Sequence, residues 1–464
     1  MRLKKITVKN LFGMFCHEVP LNMNDRITII HGPNGIGKTI LLTLLDALFN
    51  PQEGYYKLRR IPFSELSVDF DDESTLRLKK KIKTGVDESV EGGAGSELVF
   101  EFSKRGSDQK LYEVPFIRRE EITFSLELIC RRIPELERVD PETWIHVPTR
   151  EKLLLEDVLD RFGDRLPISR GDKRMEENEP DWLKKIRNSI RTHFIETQRL
   201  GTTRLVSFSE SRRLRRYGES YYTVPTVSDY SKELAAAIQE KLAESAELSQ
   251  SLDRTFPIRL VKVKGPYKTT IDELRGDLSK LEEKRSHLVA AGLLSRGEEI
   301  NFEDQDIDDS NINVLSVYVD DAKGKLKVFD ELTDKIDLLV KIINSRFLYK
   351  QMSISRKEGF VFKTSDGQNI APTDLSSGEQ HELILNYELL FKVKPDSLIL
   401  IDEPELSLHV TWQRKFLIDL QEIIKLVGFD VLIATHSPQI IHDQDDLVVY
   451  LVGPTNGKLL SNRS

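Results

Sequence analysis

Residues 32–39 read Gly32-Pro33-Asn34-Gly35-Ile36-Gly37-Lys38-Thr39, a full match to the phosphate-cradling pattern G-x-x-x-x-G-K-[ST]. Glycines in such a run let the backbone turn tightly and aim N–H groups at phosphate oxygens. A helix starting there adds the positive end of its dipole at the same point. Asn34, Gly35 and Gly37 would line the cradle, Lys38 would reach the β- and γ-phosphates, and Thr39 would offer its hydroxyl to Mg²⁺.

Such a site needs a carboxylate at the end of another strand. Leu398-Ile399-Leu400-Ile401-Asp402-Glu403 supplies two. Asp402 would hold the metal through water, and Glu403 would polarise the attacking water as general base. No Ser-His-Asp or Cys-His arrangement stands out. Arg212-Arg213-Leu214-Arg215-Arg216 could meet a phosphate surface or an acidic protein, or be a solvated face. Lys79-Lys80-Lys81-Ile82-Lys83 reads as the wet side of a strand, and Trp144, Trp182 and Trp412 as packing residues.

The elements that must position these groups follow from the hydrophobic pattern. Ile6 and Val8 share a short strand. Arg26–Ile30 is β-branched and nearly continuously apolar, as a strand buried on both faces should be. It runs into the glycine loop, and Leu41, Leu42, Leu44, Leu45 and Leu48 then mark a helix. Near the other end, Ser397–Ile401 and Asp430–Thr435 read as buried strands with a helix, Trp412 to Leu426, between them. That βαβ order implies a parallel sheet. Residues 66–125 alternate as an antiparallel sheet does, with Gly92, Gly93 and Gly95 in a loop. From about Pro134 to His193 the pattern reads as mostly helical, with a polar break at 169–180.

Ser231–Leu252, Thr270–Leu294 and Asp320–Phe347 carry apolar residues at spacings of three, four and seven, so they predict amphipathic helices. The acidic stretch Glu298–Asp309 reads as an exposed loop. A 25-residue helix spans about 40 Å, which makes a stubby arm or an all-helical lid rather than a very long coiled coil. Strands return at Phe360-Val361-Phe362, before a turn at Asp366-Gly367. The fold class predicted is α/β, a mainly parallel sheet plus an antiparallel side sheet, with an inserted helical domain. Its parts would be 1–225, 226–352 and 353–464.

Three further segments resemble known motifs. Leu375-Ser376-Ser377-Gly378-Glu379-Gln380 resembles the signature of ABC-type ATPases, one helix-length before the strand that ends at Asp402. Pro404-Glu405-Leu406-Ser407-Leu408-His409 resembles their D-loop. Ala434-Thr435-His436-Ser437-Pro438 resembles the loop of their switch histidine, and Phe194–Leu200, with Gln198, their Q-loop. The order along the chain is that of the ABC-type head. The start, Ile6–Gly13 followed by Pro33-Asn34-Gly35, looks like the branch containing the Rad50, RecF and OLD ATPases, and the resemblance covers about half the chain.

That resemblance implies ATP and Mg²⁺ as cofactors and a homo-oligomer, at least a head-to-tail dimer. Each ATP would lie between the P-loop of one subunit and Ser377, Gly378 and Glu379 of the other. His436 would contact the γ-phosphate, and Gln198 the Mg²⁺ and the attacking water. A short arm, with no TOPRIM segment expected to follow, resembles the stand-alone ATPase subunits of anti-phage systems, most of all that of PARIS. A separate TOPRIM-like nuclease and a phage-encoded trigger are the partners this implies. A repair ATPase acting on DNA directly, and a scaffold using ATP only for assembly, stay open beside it.

Composition sets the outer bounds. The 464 residues are 39% hydrophobic and 31% charged, too apolar for global disorder. Their length suggests two to four domain-sized units. The net charge of −8 argues against coating nucleic acid along the whole chain, while leaving a local basic patch possible. Two cysteines, Cys16 and Cys130, exclude a disulfide framework and a four-cysteine zinc site. The N-terminus lacks an apolar signal region, and no stretch approaches the roughly 20 apolar residues of a membrane helix. A cytoplasmic protein without membrane partners is expected.

Overall fold

A computed structural model of the chain describes residues 1–50, 55–82, 96–106, 108–114, 126–133, 135–140, 143–162, 179–195, 201–205, 221–262, 270–295 and 311–453. The chain forms two compact units. The first comprises Met1–Gln198, Thr203–Tyr222 and Val393–Ser464, and the second Arg199–Thr202 and Thr223–Lys392.

In the first unit, β1 (Leu3–Leu11) and β2 (Phe15–Pro20) form an antiparallel hairpin, and β3 (Ile27–His31) leads through the glycine loop into α1 (Lys38–Phe49). β4 (Glu65–Phe70), β5 (Ser74–Ile82), β6 (Ser96–Lys104) and β7 (Lys110–Val114) extend the hairpin into a six-stranded antiparallel sheet ordered β2-β1-β4-β5-β6-β7. Its strands alternate as sequence period two requires: along β4, Leu66, Val68 and Phe70 are buried and their neighbours are not.

The second sheet of this unit is parallel. It contains β3, β11 (Arg191–Ile195), β15 (Ser397–Asp402), β16 (Asp430–Thr435) and β17 (Val448–Tyr450), in the order β11-β15-β16-β3-β17. Ile399, Leu400, Ile401, Leu432 and Ile433 are fully buried, the two-sided burial that parallel strands impose. Helix α1 joins the sheets. Leu41, Leu42, Leu44, Leu45 and Leu48 belong to one apolar cluster with Ile6, Val8, Leu66 and Leu78 of the antiparallel sheet and Leu398, Leu400 and Leu432 of the parallel one. Each such leucine contributes about 1.5–3 kcal/mol by leaving water. The α/β architecture with an antiparallel side sheet is the predicted one.

Residues 134–193 depart from the mostly helical expectation. Among the described residues of this stretch, β8 (Leu136–Asp140), β9 (Thr143–His146) and β10 (Glu151–Leu154) make a three-stranded antiparallel sheet, and helices occupy Leu155–Phe162 and Asp181–Ser189. The period-two signal was short. In Thr143-Trp144-Ile145-His146 only Trp144 and His146 turn inward, and Trp144 centres a separate small core with Leu136, Leu153 and Val158.

The second unit holds the long helices α2 (Thr226–Lys262), α3 (Ile271–Ala290), α4 (Ile312–Lys327) and α5 (Asp330–Arg346). At 37 residues α2 reaches about 55 Å, longer than the expected arm, and it runs through Pro257. The stretch expected as one helix over 320–347 is two, meeting at Phe329. Lys323–Asp277, Lys325–Asp253 and Arg259–Asp321 ion pairs tie α4 to its neighbours.

The same unit also contains β12 (Lys350–Ser355), β13 (Gly359–Thr364), β14 (Asn369–Ile370) and α6 (Ser377–Tyr387). Residues 353–392, expected with the C-terminal part of the head, therefore pack with the helical segment. The reason is local. Ser231 Oγ of α2 accepts from the Phe360 N–H and donates to the Glu358 carbonyl, and Asn344 of α5 exchanges hydrogen bonds with the Met352 backbone.

Candidate functional site

The parallel sheet brings three loops to one edge. In register, Ala434 of β16 lies opposite both Ile30 of β3 and Asp402 of β15, so β3, β15 and β16 end at the same level. Residues 32–39, 403–409 and 436–438 leave the sheet there, at the carboxyl ends of the strands, where open α/β sheets bind ligands.

The glycine loop takes the form its sequence demands. Gly37 has φ +96°, and a Cβ placed on it would lie 2.6 Å from Leu11 Cδ2, so both conformation and space require glycine. Gly37 is also the N-cap of α1. No side chain caps that end, and no acidic residue occupies the first turn, so the helix N–H groups there are left to an anionic ligand. Lys38 is buried and its Nζ donates to the carbonyls of Gly32 (2.8 Å) and Pro33 (3.2 Å), which folds the ammonium over the loop. Asn34, Gly35 and Thr39 are exposed. The loop is braced from behind: His17, buried on β2, bonds through Nε2 to the Ile36 carbonyl at 2.8 Å. Sequence reasoning missed His17; its period-two partnership with Val19 on the inner face of β2 is the signal that places it.

Thr39 Oγ1 stands 3.0 Å from both carboxylate oxygens of Asp402. Burial pushes the Asp402 carboxyl up to about 6, with Glu403 and Glu405 adding to the rise and the Thr39 hydroxyl and Lys38 opposing it. A cation beside this carboxylate would offset the burial. A hydroxyl and a carboxylate are the hard oxygen ligands Mg²⁺ prefers, and Mg²⁺ needs few of them when phosphates and water complete its shell. The donor set therefore fits the ion.

Glu403 follows in a left-handed conformation, φ +43°, unusual for a residue with a side chain. Its N–H donates to the Ala434 carbonyl and its partly exposed carboxylate lies 3.6 Å from His436 Nδ1. Two residues on, Glu405 turns inward. Its Oε1 accepts from Thr435 Oγ1 (2.7 Å) and the His436 N–H (2.9 Å), and lies 3.2 Å from His436 Nδ1. Two carboxylates thus flank one imidazole.

The signature-like segment belongs to the second unit. Ser376 caps α6 in a reciprocal box: Glu379 N–H donates to Ser376 Oγ, and Ser376 N–H and Oγ donate to the Glu379 carboxylate. Lys350 adds contacts of 2.7 and 2.9 Å to that carboxylate. Burial pushes the Glu379 carboxyl up, but Lys350 and Ser376 outweigh it and hold it below the ordinary carboxylate value. Glu379, expected on the nucleotide, is thus engaged inside its own unit as a helix cap. Ser377, the first residue of α6, is exposed, and Gly378 follows it. Gln198, expected to touch Mg²⁺, lies outside the described residues, as do Arg212–Arg216 and Glu298–Asp309.

A phosphate loop at the end of one parallel strand, with paired acids at the end of another, defines a P-loop nucleotide-binding head. The chain belongs to the AAA ATPase domain family (AAA_15), which matches residues 1–441, and is thereby an ATPase of the AAA/ABC type. It is similar to the Retron Ec83 probable ATPase of Escherichia coli, 24% identical over 184 residues. That stretch covers 33% of this chain and only about a third, 34%, of the retron protein's own length. It is also similar to the spermidine/putrescine import ATP-binding protein PotA of Mycoplasma genitalium, 20% identical over 454 residues, 91% of this chain and 69% of that protein. Among solved structures, the SMC head domain from Thermotoga maritima matches with a TM-score of 0.30 and 12% identity, over 95% of this chain and 91% of that one.

Proposed function

We propose that this chain binds MgATP on residues 32–39 and hydrolyses it in a site completed by a second copy of itself. The observation that carries the reading is the meeting of Thr39 with Asp402 beside an uncapped helix N-terminus. The α1 N–H groups, Lys38, Asn34, Gly35 and Gly37 hold the triphosphate. Thr39 and Asp402 hold Mg²⁺, which when bound neutralises charge on the β- and γ-phosphates. Glu403 takes the proton of the attacking water, and His436 senses the γ-phosphate. Ser377, exposed at the start of α6, and Gly378 after it present a second helix end to the nucleotide of the partner copy.

Lys38→Ala should abolish nucleotide binding. Glu403→Gln should keep binding, lose turnover and trap an ATP-dependent dimer seen by light scattering. A monomer that hydrolyses ATP at full rate whatever its dilution overturns the two-copy site.

We read the biological role as the ATPase component of an anti-phage assembly, resembling the ATPase subunit of PARIS, that restrains a separate TOPRIM-like nuclease until a phage-encoded trigger arrives. The partial similarity to the retron ATPase supports this reading. Among the described residues no helix is long and apolar enough to cross a membrane. Co-purification with a nuclease encoded by a neighbouring gene, released by phage infection, is the test. Salt-sensitive DNA binding with DNA-stimulated hydrolysis would instead favour a repair ATPase. ATP-driven assembly that Glu403→Gln leaves untouched, with negligible turnover in the wild type, would favour a scaffold.

A further inference from the structure

Glu405 has no part in the reading above, yet its side chain is only 5% exposed and its Oε2 has no hydrogen-bond partner. All of its polar contacts fall on Oε1. That oxygen accepts from the Thr435 hydroxyl and the His436 N–H, and lies 3.2 Å from His436 Nδ1. The bonds continue around a ring. Ser437 N–H donates to Thr435 Oγ1, Ser437 Oγ donates to Gln413 Oε1, and Gln413 Nε2 returns to the Glu405 and Leu408 carbonyls. The segment after β15 is thereby locked to the segment after β16.

We propose that Glu405 is a positioning residue that sets the histidine of the hydrolytic site: it fixes both the backbone and the ring of His436 without touching nucleotide. The proposal rests on the ATPase reading of Glu403 and His436. One oxygen bonding the backbone N–H and facing Nδ1 of the same residue fixes the side-chain rotamer. Nε2, on the far side of the ring, is then the atom left to meet a ligand, and the His436 side chain is 40% exposed. Glu403, 3.6 Å from the same Nδ1, is the other carboxylate facing the ring. Without Glu405 the ring would turn to Glu403 and occupy the general base. Pro404 and the left-handed Glu403 produce the reversal that sends Glu405 inward while Glu403 stays at the surface.

The experiment compares turnover and affinity for a non-hydrolysable ATP analogue in wild type, Glu405→Ala, Glu405→Gln, His436→Ala and the Glu405→Ala/His436→Ala double variant, each checked by thermal unfolding. Glu405→Ala should lower kcat on the order of tenfold or more, while analogue affinity changes less than about threefold. Glu405→Gln keeps an acceptor carbonyl and should recover most of the rate. The double variant should turn over no slower than His436→Ala alone, because the two residues act as one unit. Wild-type kcat in Glu405→Ala, or additive losses in the double variant, overturns the proposal. If Glu405→Ala fails to fold, Thr435→Val removes one donor to Oε1 at nearly constant volume: a reduced kcat supports the proposal and a normal one overturns it. Nucleotide binding by Lys38→Ala, or full turnover by His436→Ala, would instead bring down the ATPase reading itself.

Discussion

Thr39 and Asp402 stand 363 positions apart in the chain and 3.0 Å apart in space. Neither element would place its residue without the other. Thr39 lies on the first turn of α1, pinned between two sheets by its leucines, and Asp402 ends a strand two places away from β3 in the parallel sheet. The pair gathers hard oxygens beside a helix N-terminus that no side chain caps, which is what a metal-bound triphosphate needs.

Thr39→Val removes the hydroxyl and keeps the shape. Thr39 is exposed, so unfolding temperature should change little. Affinity for MgATP should fall about 10- to 100-fold, while affinity for metal-free ATP falls less. Titration calorimetry with and without EDTA separates the two.

Glu403 is held in a left-handed backbone conformation that glycine adopts without strain. Glu403→Gly should raise unfolding free energy by about 1 kcal/mol, measured by urea denaturation, and lower turnover about 10²–10⁴-fold. Loss of stability in this variant would mean that the backbone there is not strained.

Gly37→Ala meets two obstacles, positive φ and Leu11 Cδ2 at 2.6 Å. It should cost on the order of 2–4 kcal/mol and eliminate nucleotide binding. Adding Leu11→Ala relieves the collision but not the φ, so circular-dichroism melts should show partial recovery and nucleotide binding should stay lost.

Lys80 gives a pH-dependent signature. Its Nζ donates to the Arg59 and Ile61 carbonyls, and burial, with Arg59 nearby, pushes the ammonium down to about 8 from 10.5. Below pH 8 folded and unfolded chains both carry this proton, and the cost of burying it is fully present. Between pH 8 and 10.5 only the unfolded chain keeps it, so this group's contribution to stability rises with pH. Wild type should therefore gain on Lys80→Met in parallel urea titrations as pH climbs through that window. A gap that stays constant or narrows contradicts the burial.

Lys350 neutralises Glu379 at the start of α6. Lys350→Met leaves that half-buried carboxylate with only the Ser376 donors and should destabilise the second unit by about 1–3 kcal/mol. Glu379→Gln in the same chain should restore part of it, because the amide still caps the helix and carries no charge.

Motifs that are contiguous in the chain were legible from it. Residues 32–39 carry the turn, the cradle and the helix start within eight positions, and the apolar runs 397–401 and 430–435 announce two-sided burial whatever packs against them. Short amphipathic strands were not: Thr143–His146 offers two inward residues, too few to distinguish period two from a helical turn, and only packing around Trp144 decides it. The order of Asp402-Glu403-Pro404-Glu405 gave Asp402 and Glu403 separate expected roles, but residue type could not say which way each of the three acids faces. One reaches the loop threonine, one stays at the surface and one is buried under Thr435, because a positive φ at Glu403 reverses the chain between them. Spacing along a sequence reports periodicity and local turns. Which of several like side chains faces inward depends on backbone reversals and on neighbours hundreds of residues away, and that is settled only when the sheet closes.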